Sequence, residues 1–223
     1  MKAALFDFDG TIVFSENLWM ATFDQFEIDY SLPLTPHEVR LQQMTRSVLS
    51  LAKEYYSLYP SLGSTFSSAE ALAKYFNDKT ETTIYSTEPI KGVDRFIQLL
   101  NERGVPVVIA SSGRKEHISA YLSKWDIQVK DIVTGDDVEH PKPAPDVYFE
   151  ALRRAGPGLK PQDAVVFEDN PNPAYSAYKS GFSICAVNYN NRSIFSEDFP
   201  PLKCSLSDFD NSGELFCNLY ESC

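Results

Sequence analysis

The sequence has few histidines and cysteines, a shortage of basic residues, and no apolar run of membrane-spanning length. The three histidines, His37, His117 and His140, are scattered and read as surface or structural groups rather than ligands. The four cysteines, Cys185, Cys204, Cys217 and Cys223, lie in the last fifth of the chain without paired zinc spacing. In a chain of this size they are expected to be free thiols in a reducing compartment. Nothing approaches the ~20 apolar residues of a transmembrane helix, and an acidic strand stands where a signal peptide would carry its apolar core. A cytoplasmic location is therefore the default, and the glycosylation acceptor pattern Asn191-Arg192-Ser193 carries no meaning without secretion. Twenty Lys and Arg against 31 Asp and Glu give a net charge of −11. That balance leaves no electrostatic footprint for nucleic acid or an anionic membrane. Any phosphate would have to be held by local cations and backbone amides. Repeats and low-complexity segments are also missing.

The chain does have the means to bury a sizeable core: 43% of its 223 residues are hydrophobic and 13% aromatic. Its length suits one large domain or one domain with an insertion. Ala3 to Phe6 reads as a buried strand that ends in two carboxylates, Asp7 and Asp9, before Gly10-Thr11 turns the chain. After this turn the pattern becomes helical. Trp19, Phe23 and Phe26 mark one stripe, and Val48, Leu51, Ala52, Tyr55, Leu58 and Tyr59 a second. Leu72, Ala73 and Phe76 mark a third. Thr35-Pro36-His37-Glu38 and Ser67-Ser-Ala-Glu70 read as helix starts with capping residues. Nothing between about Ser15 and Ser86 reads as strand.

Strand–helix alternation then sets in. Strands are expected over Val105–Ala110, Asp131–Thr134, Ala164–Phe167 and Ser183–Val187, with at best a final strand or turn over Ser205–Phe209. Helices are expected over the Val93, Phe96, Ile97 and Leu100 stripe that stops at Gly104, around Ile118–Trp125, from Tyr148 to Ala155 with Asp146 as cap, and from Ala174 to Ser180. Repeated βα units imply a doubly wound parallel sheet with helices on both faces. The division expected is a core of 1–14 and 88–223 with a helical domain, 15–87, inserted after the first strand. An insertion leaving the carboxyl edge of that strand has the connectivity of a lid.

In such a sheet the strand ends meet along one edge, where ligands bind. Asp7 and Asp9, Ser111-Ser112-Gly113, Lys142 within Pro141-Lys-Pro-Ala-Pro145, and Glu168-Asp169 would all converge there. Each group suits phosphoryl transfer. A carboxylate can attack phosphorus, a second can manage the proton, and hydroxyls, amides and a lysine can hold the oxygens. Carboxylates this close need a cation or a shared proton, a pattern that suggests Mg²⁺. The Thr11 hydroxyl and neighbouring amides could face an anion.

Asp7-Phe-Asp9-Gly-Thr11, Ala110-Ser111-Ser112, Lys142-Pro-Ala-Pro-Asp146 and Phe167-Glu168-Asp169 resemble, in order and spacing, the four motifs of the haloacid-dehalogenase superfamily. The likeness is to the branch of β-phosphoglucomutases and small sugar-phosphate phosphatases, whose helical cap lies where this chain has its helical block. The resemblance implies a sugar-phosphate phosphatase core with Asp7 as nucleophile and Asp9 as general acid/base. It further implies that Ser111 binds the transferring group and Lys142 bridges that group to Asp7. Mg²⁺ would be held by Asp7, the Asp9 carbonyl and Asp169, with Glu168 joining directly or through water. Ser112 and Thr11 are weaker phosphate-binding candidates. The expected partner is a small phosphorylated metabolite, with neither nucleic acid nor membrane, and a monomer is the default. Asp9 argues against dehalogenating and phosphonate-cleaving chemistry, since members with those activities lack an aspartate there. Trp19 stands where mutases of this branch carry a histidine. The alternatives are a sugar-phosphate mutase or a binding protein that has lost turnover, the latter supported by the unusual Asn170-Pro-Asn-Pro173 loop.

Overall fold

The structure is a computed structural model that describes residues 1–43, 46–189 and 195–220. Asn191-Arg192-Ser193 and Cys223 lie outside the described residues. The chain forms two compact units, Met1–Phe14 with Glu88–Cys223, and Ser15–Thr87.

The Ser15–Thr87 unit is helical: α1 (Glu16–Asp29), α2 (His37–Gln43), α3 (Val48–Leu58) and α4 (Ala69–Ile84). Phe23 and Phe26 from α1, Leu51 and Tyr55 from α3, and Leu72 and Phe76 from α4 bury a core of its own. Complete burial of one such phenylalanine contributes about 1.5–3 kcal/mol. Ser47 caps α3 by accepting the Ser50 amide. The cap of α4 is Ser68, which accepts the Ala71 amide, so the Ser67 box expected from sequence is displaced by one residue. Thr35 does not cap α2. Its hydroxyl and amide both donate to Glu27, because a carboxylate 1% exposed needs donors more than an exposed helix end needs a cap.

The other unit is built on six parallel strands among the described residues: β1 (Ala3–Phe6), β2 (Val107–Ala110), β3 (Asp131–Val133), β4 (Ala164–Glu168), β5 (Ser183–Val187) and β6 (Cys204–Leu206). Their order is β3-β2-β1-β4-β5-β6, and every neighbouring pair is parallel. The helices are α5 (Val93–Glu102), α6 (Lys115–Lys124), α7 (Asp146–Ala155), α8 (Pro171–Lys179) and α9 (Ser212–Tyr220). Alternation along the strands feeds both faces of the sheet. Ala3, Leu5, Val108, Val166 and Ile184 join Tyr148 and Ala151 of α7 and Ala174 and Ala177 of α8. Phe6 and Phe167 stack at 4.3 Å on the opposite face, with Phe96 and Phe209 against them. This is the doubly wound α/β architecture. The chain runs from β1 outward to β3 and then returns to β4 on the other flank, so the winding reverses between β1 and β4. Open α/β sheets bind their ligands at such a switch point.

Three helix starts differ from expectation. Asp146 is the first residue of α7 rather than its cap, and its carboxylate pairs with His140 Nδ1 at 3.0 Å. Helix α8 begins at Pro171, not Ala174, because Asn170 accepts the Asn172 amide and prolines suit the first turn. Helix α9 was not foreseen; it buries Leu215, Phe216 and Leu219. Cys185 and Cys204 are not free thiols. They are register partners on β5 and β6 and form a disulfide. A separation of 19 residues carries no pairing signal; the parallel register sets them opposite each other. Cysteine usage therefore gives no argument for a reducing compartment. Cys217 is a free, exposed thiol. No helix among the described residues is long and apolar enough to cross a membrane.

Candidate active site

β1 and β4 deliver the central acids. Asp7 follows the last residue of β1, and its amide donates to the Phe167 carbonyl at 2.9 Å, so its position is tied to β4. Glu168 ends β4 and Asp169 follows it. After Asp7 the chain turns sharply: the amides of Ile12 and Val13 donate to the Phe8 carbonyl, and the Gly10 amide donates to Val13. Gly10 has φ +78° in this turn, and a Cβ there would run into the Asp169 carboxylate. Glycine is needed twice over, for the left-handed backbone and for the close approach of Asp169.

Lys142 arrives from the loop before α7, with its side chain 8% exposed. Its Nζ donates to Asp7 Oδ1 at 2.7 Å and to Glu168 Oε2 at 2.8 Å. The same Glu168 oxygen accepts the Tyr148 hydroxyl at 2.7 Å, and the Tyr148 ring lies 5.1 Å from the ammonium. Asp7, Glu168 and Asp169 each offer an oxygen, all within 4.8 Å of one another.

These acids burden one another. Burial, then the Asp7 charge, pushes the Glu168 carboxyl up to about 7 in spite of Lys142. Burial, then Glu168 and Asp7, raises Asp169 well above the carboxylate range. Burial pulls the Lys142 ammonium down, but the Asp7 and Glu168 carboxylates outweigh it and hold the group well above its ordinary value. Burial and the Glu168 charge keep the Tyr148 phenol neutral. Fully ionised, the three acids against one ammonium would carry two surplus negative charges, the charge that one divalent ion would match. The donors are hard oxygens, as Mg²⁺ prefers, so the residues present fit that ion.

The remaining sequence candidates are placed as follows. Ser111 follows β2, the strand beside β1; it is buried, and its hydroxyl accepts the Gly113 amide at 3.0 Å. The Ser112 side chain is exposed. Asp9 is half-buried, at the turn bridged to Val13. Thr11 is fully buried, and its hydroxyl has no hydrogen-bond partner among the described residues. Direct contacts thus join Lys142 to Asp7 and Glu168, and Asp169 lies in the same cluster. Sequence reasoning missed Tyr148, which it assigned only to the apolar stripe of α7; nothing in a helical period distinguishes a phenol that packs from one that donates.

The family model for haloacid dehalogenase-like hydrolases matches residues 4–187. Over 198 residues the chain is 27% identical to the "Probable pseudouridine-5'-phosphatase" of Drosophila melanogaster, covering 82% of this chain and 80% of that protein. It is also 27% identical over 194 residues to hexitol phosphatase A of Escherichia coli (strain K12), covering 84% and 83% respectively. Among solved structures it is similar to CbbY from Rhodobacter sphaeroides in complex with phosphate, with a TM-score of 0.74, 20% identity and 96% of each chain covered. At that identity the likeness concerns the fold. The chain belongs to the haloacid dehalogenase-like hydrolase family.

Proposed function

We propose that this protein is a Mg²⁺-dependent phosphatase that hydrolyses a small phosphomonoester, such as a sugar phosphate, through an aspartyl-phosphate intermediate on Asp7. Its standing as a phosphoric monoester hydrolase follows from its family and its phosphatase relatives. The metal, the intermediate and the substrate class are the proposal. The observation that carries it is the bridge of Lys142 between Asp7 and Glu168, with Asp169 in the same cluster at the switch point of the sheet.

In this reading an Asp7 carboxylate oxygen attacks phosphorus and the bond to the leaving oxygen breaks. Asp9 gives that oxygen its proton, then takes one from the water that cleaves the acyl phosphate. An ammonium has three N–H donors, and Asp7 and Glu168 occupy two, so Lys142 retains one for a phosphoryl oxygen. The buried Ser111 hydroxyl supplies a further donor. A Mg²⁺ ion held by Asp7, Asp169 and Glu168 would neutralise the acid surplus and polarise the phosphoryl group. The Ser15–Thr87 unit is read as the family's cap and the source of substrate selectivity. Trp19, in place of a mutase histidine, favours hydrolysis over return of the phosphoryl group.

The test is a screen for phosphate release from a panel of phosphorylated sugars, polyols and nucleosides, with and without Mg²⁺. Turnover that requires Mg²⁺ and vanishes in Asp7→Asn is expected. Undiminished turnover in Asp7→Asn overturns the proposal.

A further inference from the structure

We infer that Tyr148 is a positioning residue for this reaction: its hydroxyl, with Lys142, takes up Glu168 Oε2, so that Glu168 anchors Lys142 by one oxygen and would serve a metal ion by Oε1 alone. This rests on the phosphatase reading above and deepens it.

The geometry is specific. Glu168 Oε2 receives two short hydrogen bonds, from Lys142 at 2.8 Å and from Tyr148 at 2.7 Å, whereas among the described residues Oε1 has only the Asn170 amide at 3.4 Å. One carboxylate oxygen is therefore saturated by protein donors. The Tyr148 ring also lies beneath the Lys142 ammonium, so a single side chain touches both members of the pair. Packing alone would be served by phenylalanine, since Tyr148 is fully buried and meets Phe182 by its ring. The hydroxyl adds a desolvation cost that its bond to Glu168 offsets. Without it, Oε2 keeps one partner, its charge is less spread, and the carboxylate is freer to turn from Lys142 toward a cation. Lys142 then loses a fixed anchor opposite Asp7.

Tyr148→Phe keeps the ring and deletes the hydroxyl. Two opposed shifts are expected. With p-nitrophenyl phosphate, kcat falls roughly tenfold with little change in KM, the scale of losses from groups that orient ligands. Titration of the metal-free protein with Mg²⁺ by calorimetry gives a Kd about two- to tenfold tighter, the worth of one released hydrogen bond. In a double-variant cycle, Tyr148→Phe adds no further kcat loss to Glu168→Gln, because the hydroxyl acts through that carboxylate. An unchanged Kd, an additive kcat loss, a joint loss of kcat and Mg²⁺ affinity, or failure to fold overturns the inference and leaves Tyr148 a packing residue. The phosphatase reading fails separately, if Asp7→Asn is as active as wild type, and the Mg²⁺ titration still decides the part played by Tyr148.

Discussion

Each unit of this protein buries a carboxylate, a cation and a tyrosine hydroxyl in mutual contact, yet the two clusters are opposite in electrostatic character. In Ser15–Thr87, Glu27 and Arg40 are both 1% exposed and pair at 2.7 Å. Glu27 accepts from the Thr35 hydroxyl and amide and from the Tyr55 hydroxyl, and Arg40 donates to the same phenol at 2.8 Å. Asp24 adds a second carboxylate from the half-exposed side at 3.1 Å. Burial raises the Glu27 carboxyl, but the hydrogen bonds from Thr35, Tyr55 and Arg40 outweigh it and leave the group lowered. In the sheet unit, Lys142 faces three acids, and Glu168 and Asp169 are raised. Burial raises the carboxyls of both clusters, and whether donors or further acids surround them decides if that rise is reversed or reinforced. In the balanced cluster the buried carboxylate and the buried cation answer each other directly. The unbalanced one carries an acid surplus that protons or a cation can offset, which is what makes it a candidate site.

The comparison can be broken most forcefully at Arg40. Arg40→Met leaves Glu27 buried without its ion partner, and a loss of about 3–5 kcal/mol in unfolding free energy is expected by denaturant titration. Lys142→Met is expected to cost less stability, because Glu168 is already poised to take a proton. Its penalty should instead fall on turnover, with kcat reduced about 10²- to 10³-fold in steady-state assays. If the two substitutions cost equal stability, the charge distinction between the clusters fails.

Mg²⁺ sharpens the contrast at the next scale. At 100 times its Kd the ion should stabilise the protein by about 2.7 kcal/mol, seen as a raised Tm. Asp169→Asn should abolish that gain and Arg40→Met should retain it.

The smallest expected effect is a pair of opposite pH slopes. The lowered Glu27 contributes stability that is present above its ordinary value of 4.5 and is lost as pH falls through its depressed one. The raised Glu168 does the reverse in metal-free protein: its contribution is complete below 4.5 and is lost as pH rises through about 7. The two tryptophans, Trp19 and Trp125, lie one in each unit. Fluorescence-monitored unfolding of Trp125→Phe and Trp19→Phe protein therefore reads each slope separately. Saturating Mg²⁺ should flatten only the slope read through Trp125.

The parallel sheet was legible because strands buried on both faces are written as unbroken apolar runs, such as Val107–Ala110 and Ala164–Phe167, separated by helical stripes. The acids were legible because strand ends in such a sheet are forced onto one edge, whereas Lys142, a loop residue, was legible only through the resemblance of Lys142-Pro-Ala-Pro-Asp146 to a family motif. The balanced cluster was not. Arg40 sits in a helical stretch with no sign of burial, and its partner lies 13 positions earlier. Only the folding of α1, α2 and α3 brings Glu27, Arg40 and Tyr55 together. The same partnership took Thr35 from its expected cap. The Cys185–Cys204 disulfide depends on the register of two neighbouring strands, a tertiary fact with no local signal. Tyr148 was hidden by its own apolar period.

The central claim, that the acid surplus at β1 and β4 serves an attack by Asp7 on phosphorus, is tested most directly by trapping the intermediate. Protein turning over a labelled phosphomonoester with Mg²⁺ is quenched in acid, reduced with borohydride and mapped by peptide mass spectrometry. Conversion of Asp7, and of no other acid, to homoserine is expected, with no conversion when Mg²⁺ is omitted. Steady phosphate release with Asp7 unmodified, or reduction mapped to Asp9 or Asp169, would contradict it.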